Sequence, residues 1–379
     1  MKICIPKEIY QNETRVALVP QSVKKITQKG IEVLIESKAG ELSYFSDKEY
    51  EECGGKIVKD VQLLYSSSDL IIKIRKPEVN EIDLMKEGSV IVSLLYPSTN
   101  TDTVKKLISK KISAFSLDSI PRITRAQSMD VLSSMATIAG YKAVLIAANT
   151  LPKFFPMLMT AAGTIAPAKV FIIGAGVAGL QAIATAKRLG AVVEAFDTRP
   201  IVKEQTESLG ARFVELALGG EQTESSDGYA KEVSKELQLK INELLSKHVK
   251  KSDVVITTAL IPGKKAPLLI TENMVKGMQP GSVIIDLASE QGGNCEITEP
   301  GKQVVKHGVT ICGFLNLPAL MPYHASQMFS KNMESVINHL IKGDQINLDI
   351  SDEINKGALI THKGEIIQES IKGMLAGVS

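Results

Sequence analysis

The chain has 379 residues, a length that predicts two or three domains, and 44% of them are hydrophobic, which is enough for full cores. A net charge of +2, nine Phe, eight Tyr and no Trp give no sign of a nucleic-acid surface. Four cysteines without CxxC spacing predict reduced structural thiols, and five histidines without HxxxH or HxH spacing predict no metal site.

The N-terminus, MKICIPKE, lacks the apolar core and the small-residue cleavage site of a signal peptide. No uninterrupted apolar run reaches the about 20 residues needed to cross a bilayer. The nearest candidate, residues 161–186, is rich in glycine and contains Lys169. We therefore expect a soluble chain with no membrane span of its own.

Short apolar runs rich in Ile and Val alternate with helix-like segments over the first third of the chain. The runs predicted as strands are MKICIP, IEVLIE, DLIIKIR, SVIVSLLYP and KISAFSL. Between the first two lies an amphipathic segment, PQSVKKITQKG, and its Gly30 fits the position just after a helix end. Strands alternating with helices predict a parallel sheet covered on both faces.

A long helix is predicted from Ser128 to Leu151, because apolar residues such as Leu132, Met135 and Ala139 recur every three or four positions. A second strand–helix series follows, with the strands AKVFIIG, AVVEAFD, ARFVELA, SDVVITTAL, GSVIIDLA and VTICGF. The helix-like run ASQMFSKNMESVINHLIKG then leads to the C-terminus. We predict an α/β fold of two Rossmann-like, doubly wound parallel-sheet domains joined by long helices, with residues 1–135 plus 325–379 in one and 136–324 in the other.

The segment KVFIIGAGVAGLQAIATAKRLGAVVEAFDTR predicts a dinucleotide site. An apolar strand runs into a GxGxxG pattern at Gly174, Gly176 and Gly179, and a small-residue helix follows. The first glycine permits a tight turn, the second lets pyrophosphate approach the backbone, and the third lets helix and strand pack closely. Asp197 ends the next strand, where an aspartate accepts adenosine ribose hydroxyls and favours NAD over NADP. Arg199 close by weakens that preference.

Three further segments leave alternatives open. Asp286 and Glu290, in DLASEQGGN, follow a strand and serve either acid–base chemistry or the hydrogen bonding of turns. The polar segment EQTESSDGYA is either a passive surface loop or a lid with Tyr229 as its latch. In PRITRAQSMDVLSS, Thr124 and Gln127 fit a capping box before a helix, but the same polar groups suit a ligand site.

Several segments together resemble the soluble NAD(H)-binding component, or α subunit, of proton-translocating NAD(P) transhydrogenase, which is related to the alanine dehydrogenase family. These segments include PKEIYQNETRVALVP, PRITRAQSMDVLSSMATIAGYKAV, GAGVAGLQAIATAKRLGAVVEAFDTRP and TTALIPGKKAPLLIT, and they span nearly the whole chain in order. The resemblance implies a homodimer that binds NAD(H) and passes hydride to NADP(H) held by a partner subunit. It also implies transmembrane partner subunits and a cytoplasmic, peripheral place on the inner face of the cell membrane.

The resemblance further implies the roles of individual residues. Arg122, Gln127 and Asp130 would act in catalysis, with Gln127 facing the incoming NADP, while Asp130 and Ser133 would bind the nicotinamide carboxamide. The other residues implied in cofactor binding are Ile123, Thr124, Leu132, Gly174, Ala175, Gly176, Val177, Gly179, Asp197, Thr198, Arg199, Gly228, Tyr229, Ala259 and Leu260. Hydride exchange between two nicotinamides needs positioning, with the rings about 3–3.5 Å apart, rather than an acid–base group.

Two alternatives are an alanine dehydrogenase-like amino-acid dehydrogenase and an NAD-binding sensor or scaffold without turnover. The resemblance places Arg15 at the position that would contact a substrate carboxylate. The segment KIRKP, however, has Arg75 where alanine dehydrogenases carry a catalytic lysine, and SLLYPSTN lacks their catalytic histidine. An amino-acid dehydrogenase must move a proton as well as a hydride, so the missing histidine favours the transhydrogenase component.

Overall fold

The computed structural model describes residues 1–216, 234–260 and 265–376. Contacts divide the chain into two compact units, Met1–Met135 with Ala319–Ser379 and Ala136–Pro318. The helices are α1 (Pro20–Thr27), α2 (Asp47–Glu52), α3 (Val61–Ser66), α4 (Val79–Leu84), α5 (Thr101–Ser109), α6 (Val131–Thr150), α7 (Val177–Arg188), α8 (Val202–Ser208), α9 (Lys235–Val249), α10 (Glu272–Lys276), α11 (Pro322–Leu340), α12 (Glu353–Ala358) and α13 (Glu369–Ala376).

The strands are β1 (Lys2–Ile5), β2 (Glu32–Glu36), β3 (Lys56–Val58), β4 (Leu70–Arg75), β5 (Val90–Leu94), β6 (Ser113–Ser116), β7 (Leu158–Thr160), β8 (Gly163–Ile165), β9 (Lys169–Ile173), β10 (Val192–Phe196), β11 (Arg212–Phe213), β12 (Val254–Thr257), β13 (Val283–Asp286), β14 (Gln303–Lys306), β15 (Val309–Cys312), β16 (Ile341–Lys342), β17 (Gln345–Ile346), β18 (Leu359–His362) and β19 (Glu365–Ile366).

The sheet of the first unit has the strand order β19-β18-β6-β5-β4-β1-β2-β3. From β3 to β6 all neighbours are parallel, and their order is that of a Rossmann sheet. Strand β18 is antiparallel to both β6 and β19. The C-terminal segment therefore completes the sheet that the N-terminal residues begin.

The sheet of the second unit repeats this order, as β11-β10-β9-β12-β13-β15-β14. All neighbours are parallel except the hairpin of β14 and β15. The predicted fold of two Rossmann-like parallel sheets is thus confirmed, with antiparallel strands at one edge of each. Of the predicted long connecting helices, α6 contains the first unit boundary. The second boundary falls in a short 3-10 helix, Leu317–Leu320, before α11.

Strand β9 shows how the second sheet is covered on both faces. Val170 and Ile172 pack with residues of α6 and α7, whereas Phe171 and Ile173 pack with residues of α9 and α10. All four side chains are at most 2% exposed. Successive strand residues point to opposite faces, so a strand buried on both sides has a continuous apolar sequence.

Helix α6 is the one described helix long and apolar enough to cross a membrane by length and composition alone, with a mean hydropathy of 1.6. Ala143, Val144 and Ala147 on this helix are fully buried in the core of the second unit. A core helix passes the same length and composition test. Residues 161–186, the nearest candidate by sequence, belong instead to β8, β9 and α7.

Two predicted elements differ from the structure. The helix predicted from Ser128 to Leu151 is a 3-10 helix, Thr124–Met129, followed by α6, because Asp130 leaves helical geometry with φ −73° and ψ 88°. The strand predicted in ARFVELA is reduced to two residues, Arg212–Phe213. This strand lies at the edge of its sheet, where only one neighbour holds the backbone.

Candidate functional site

The glycine-rich turn joins β9 to α7 and has the geometry that the sequence predicts. Gly174 has a φ of +98°, and a Cβ there would overlap the Thr258 hydroxyl. A Cβ on Gly179 would overlap the carbonyl oxygen of Gly174, so helix and turn are in backbone contact. At Gly176 the nearest atom to a Cβ is a guanidinium nitrogen of Arg199, 3.8 Å away. The space over Gly176, at the start of α7, therefore fits a dinucleotide phosphate.

Asp197 follows β10 and links the turn to the next loop. Its carboxylate accepts the backbone N–H of Ala175 at 2.8 Å and that of Arg199 at 2.9 Å. The Arg199 side chain donates to the same carboxylate through Nε at 2.9 Å and NH2 at 2.8 Å. A carboxylate offers about four acceptor positions, so these donors fill it. A ribose hydroxyl would have to replace one of them.

A small cavity of about 160 Å³ lies beside Asp197 and Thr198. Its other lining residues include Pro200, Lys203, Phe213 and Glu215. It lies at the carboxyl ends of β10 and β11, where ligands of open α/β sheets bind. An aromatic ring, a carboxylate at a strand end and its position make it the candidate adenosine pocket. The implied site residue Thr198 belongs to its wall.

Residues 257–260, which include Ala259 and Leu260, are held by Asn294, which is not among the predicted site residues. The buried Asn294 side chain accepts the N–H of Ala259 at 3.2 Å and donates to its carbonyl at 2.9 Å. It also donates to the carbonyl of Pro267 at 2.8 Å. Asn294 thus pairs with Ala259 as a neighbouring strand would, and Leu260, which is 37% exposed, follows this fixed residue.

Asp286 has a structural role rather than an acid–base one. Its carboxylate is fully buried and accepts hydrogen bonds from the hydroxyls of Thr257 and Thr298 and from three backbone N–H groups. Glu290 is exposed, and it accepts the backbone N–H of Asn316 at 2.7 Å. Of the two open interpretations, hydrogen bonding within loops is therefore the one that these contacts support.

In the first unit, the 3-10 helix Thr124–Met129 presents the polar segment of the implied nicotinamide site. Ala126 and Met129 are buried and anchor the turn, whereas Arg122 and Gln127 are exposed. Among the described residues the Gln127 side chain makes no hydrogen bond, and no side chain caps this helix. The predicted capping box of Thr124 and Gln127 is therefore wrong.

Asp130 caps α6 instead. Its carboxylate accepts the backbone N–H of Ser133 at 2.9 Å and the Ser133 hydroxyl at 2.6 Å. Such a cap satisfies a free N–H group of the first helical turn. The two residues implied in carboxamide binding are thus brought together, and the carboxylate retains acceptor positions for an amide N–H. Leu132 lies between them and is half-buried.

Two distant residues brace the 3-10 helix, and neither gives a signal in the sequence. Arg125 NH1 donates to Asp352 at 2.8 Å, across 227 positions. The Asn332 side chain donates to the carbonyl of Ser128 at 2.8 Å, across 204 positions. Both contacts arise because the C-terminal segment returns to the first unit.

Arg15, at the position that would contact a substrate carboxylate in an amino-acid dehydrogenase, and Arg75, at the place of the catalytic lysine, are ion-paired within the chain. Arg15 holds Glu13 through Nε at 2.7 Å and NH2 at 2.6 Å, and Arg75 Nε lies 3.1 Å from the same carboxylate. Burial alone would raise the pKa of Glu13, but Arg15 and Arg75 lower it to about 2. Glu13 therefore neutralises one of the two guanidinium charges.

The remaining reactive residue types lie elsewhere. All four cysteines are unpaired thiols, and burial raises the pKa of Cys4 to about 12 and that of Cys312 to about 11. The described residues contain no group of three His, Cys, Asp or Glu side chains that could hold a metal ion.

Gly228 and Tyr229, named from the resemblance, lie outside the described residues.

Comparisons with known proteins match both units. The family models described as alanine dehydrogenase/PNT, N-terminal and C-terminal domains, match residues 4–139 and 143–369. The chain is 46% identical to the first segment of NAD(P) transhydrogenase subunit alpha of Rhodospirillum rubrum, over 98% of this chain and 99% of that segment. It is 34% identical to alanine dehydrogenase 2 of Staphylococcus aureus, over 85% of this chain and 82% of that protein.

A solved structure of transhydrogenase from Sinorhizobium meliloti matches with a TM-score of 0.85 and 40% identity. The match covers 98% of this chain and 100% of that one. The family models together span most of the sequence, and the site geometry lies within the matched residues. The chain belongs to the alanine dehydrogenase/PNT family.

Proposed function

We propose that this chain is the NAD(H)-binding subunit of a proton-translocating NAD(P) transhydrogenase. In this role it binds NADH, whose nicotinamide supplies a hydride to NADP on a partner subunit, and the transfer is coupled to proton movement across a membrane. The observation that carries the proposal is 46% identity over 98% of the chain to a transhydrogenase α subunit, against 34% over 85% to an alanine dehydrogenase.

The residues of each unit have separate tasks in this proposal. Gly174, Gly176 and Gly179, with Ala175 and Val177 between them, hold the pyrophosphate at the start of α7. Asp197, Thr198 and Arg199 hold the adenosine ribose.

In the first unit, Asp130 and Ser133 orient the carboxamide. Arg122 and Gln127 hold the nicotinamide end and face the partner's nucleotide, with Ile123, Thr124 and Leu132 around them.

The ion pairs of Glu13 with Arg15 and Arg75 support this role over that of an amino-acid dehydrogenase. A substrate carboxylate at Arg15 would compete with the internal carboxylate of Glu13, which already holds Arg15 and also Arg75. The five histidines also lie beyond residue 240, and none belongs to the proposed site. Hydride exchange needs no proton donor, so this arrangement suits it.

A reconstituted exchange assay tests the proposal. We expect the purified chain to exchange hydride between NADH and an NADP analogue only when an NADP-binding transhydrogenase subunit is added, because the chain holds one nucleotide. Without that subunit, the chain is expected to reduce no NAD with L-alanine or other amino acids. Absorbance of the reduced analogue measures the exchange.

Two results would contradict the proposal. Amino-acid-driven NADH formation by the purified chain would identify a dehydrogenase. NADH binding without any exchange, in the presence of a partner subunit shown to be competent with another α subunit, would identify a nucleotide-binding protein without turnover.

We also propose that the chain is a homodimer and that the hairpin of β7 and β8 packs on a second copy. The two strands pair only with each other in the described sheets. Met157, Met159 and Ile165 are 56%, 73% and 45% exposed, and residues 157–168 include no charged side chain. A two-stranded hairpin is marginally stable alone in water. A two-fold contact would cover the same apolar patch on both copies.

Met159→Asp is expected to weaken the homodimer about a hundredfold, because a charge would enter the apolar contact. Sedimentation at a series of protein concentrations measures the dissociation constant. Leu239→Asp is the matched control, since Leu239 is 64% exposed on α9, outside the hairpin. A wild-type chain that sediments as a monomer, or equal effects of both substitutions, would contradict the hairpin contact.

The proposed partners carry the NADP site and the transmembrane segments. The chain itself would then lie on the cytoplasmic side of the membrane and attach to it through those subunits. Because α6 is packed into the core of the second unit, membrane attachment is assigned to the partners rather than to this helix.

A further inference from the structure

The candidate adenosine pocket has two ion pairs at or beside its wall, which is more charged groups than a ribose hydroxyl needs for binding. Asp197 and Arg199 form one ion pair, with 2.8 Å between carboxylate oxygen and guanidinium nitrogen. Lys203 and Glu215, which both line the cavity, form a second ion pair. Among the described residues at and beside the cavity, two carboxylates and two cations thus cancel, and each cation has a carboxylate of its own.

The two pairs differ in how firmly they are held. The Asp197 and Arg199 side chains are 5% and 14% exposed, and three hydrogen bonds join these residues. The Lys203 and Glu215 side chains are 43% and 63% exposed and are joined by a single contact. Exposed ion pairs contribute little to stability, so the second pair has no evident role in holding the fold.

This pairing bears on the difference between NAD and NADP, which is a phosphate on the adenosine ribose. Such a phosphate carries a charge of about −1.5 to −2 at neutral pH and requires a cation that is free to pair with it. Arg199 is committed to Asp197. Lys203 is the one cation among the described residues of the cavity wall, and it is neutralised by Glu215.

We propose that Glu215 is a specificity-determining residue, which disfavours a 2′-phosphorylated dinucleotide by holding Lys203 in an ion pair at the wall of the adenosine pocket. The inference rests on the proposed binding of NAD(H). Glu215 would be a second determinant of the preference for NAD(H), beside Asp197. It belongs neither to the glycine fingerprint nor to the acidic position at the strand end. A ribose hydroxyl needs only an acceptor, so NADH does not depend on an unpaired Lys203.

Titrations of the full chain with NADH and with NADPH test the inference. Glu215→Gln is expected to shift the ratio of the two dissociation constants about tenfold in favour of NADPH, because it removes one negative charge and leaves Lys203 unpaired. Glu215→Gln combined with Lys203→Met is expected to return the ratio to the wild-type value. Glu204→Gln is the matched control, since it removes the same charge from an exposed position of α8 outside the cavity wall.

The outcomes separate this inference from the proposed function. A wild-type chain that binds NADH, with an unchanged ratio in Glu215→Gln, would overturn the role of Glu215 and leave NAD(H) binding intact. An equal shift of this ratio in Glu204→Gln would show that net charge alone causes the effect, and it would also overturn the role of Glu215. A wild-type chain that binds neither nucleotide would overturn the proposed function, and the inference with it.

Discussion

Gly179→Ala is expected to abolish measurable NADH binding and to destabilise the second unit by about 1–3 kcal/mol. The added methyl group would overlap the carbonyl oxygen of Gly174, which is backbone and has no rotamer to change. Helix α7 would have to move away from the turn, and the N–H groups at its start would move with it. Calorimetric titration with NADH and thermal unfolding measure the two effects.

Two other glycines provide the controls for this prediction. Gly176→Ala is expected to weaken NADH binding without loss of stability, because its Cβ has room in the chain but enters the space proposed for pyrophosphate. Gly373→Ala, where no atom lies within 4 Å of the added group, should change neither quantity adversely. Full NADH affinity in Gly179→Ala, or equal destabilisation by all three substitutions, would contradict the proposed packing.

Gln127→Asn is expected to slow hydride exchange by about a hundredfold or more and to change the NADH dissociation constant far less. The side chain is exposed and unused in capping, so its proposed task is to position the reacting groups. Removing one methylene withdraws the amide by about 1.5 Å, and a misplacement of about 1 Å can cost a hundredfold in rate. Single-turnover exchange and an NADH titration measure the two quantities.

Ser128→Ala is the control for the Gln127 substitution. Ser128 is the next exposed residue of the same 3-10 helix, and Asn332 holds it through its backbone carbonyl, which the substitution retains. Exchange in Ser128→Ala should remain near the wild-type rate. Parallel losses of exchange and binding in Gln127→Asn would assign Gln127 to folding or binding rather than to positioning.

The glycine fingerprint could be predicted because each requirement is local. Gly174, Gly176 and Gly179 lie within six positions of one another, and Asp197 directly follows the next strand of the same β–α–β unit. The capping of the long helix could not be predicted as reliably. The segment contains two candidate capping pairs, Thr124 with Gln127 and Asp130 with Ser133, and only the backbone conformation decides between them.

Most features of the site that could not be predicted from the sequence depend on contacts between residues far apart in the chain or on side-chain conformation. The bracing by Asp352 and Asn332 depends on the return of the C-terminal segment, and the neutralisation of Asp197 depends on the side-chain conformation of Arg199. Strands β3 and β14 also escaped prediction, because they are short and lie at sheet edges, where few apolar residues are needed.

The discontinuous first unit has a consequence for synthesis of the chain on the ribosome. Strand β6 cannot pair with β18 until the C-terminal segment is made, since Thr361 donates to the carbonyl of Ile112 across 249 positions. At roughly 5–20 residues per second, that delay is on the order of 10–50 s. The whole of the contiguous second unit is translated within this interval. Until then the outer edge of β6 is open to pairing with a strand of another nascent chain.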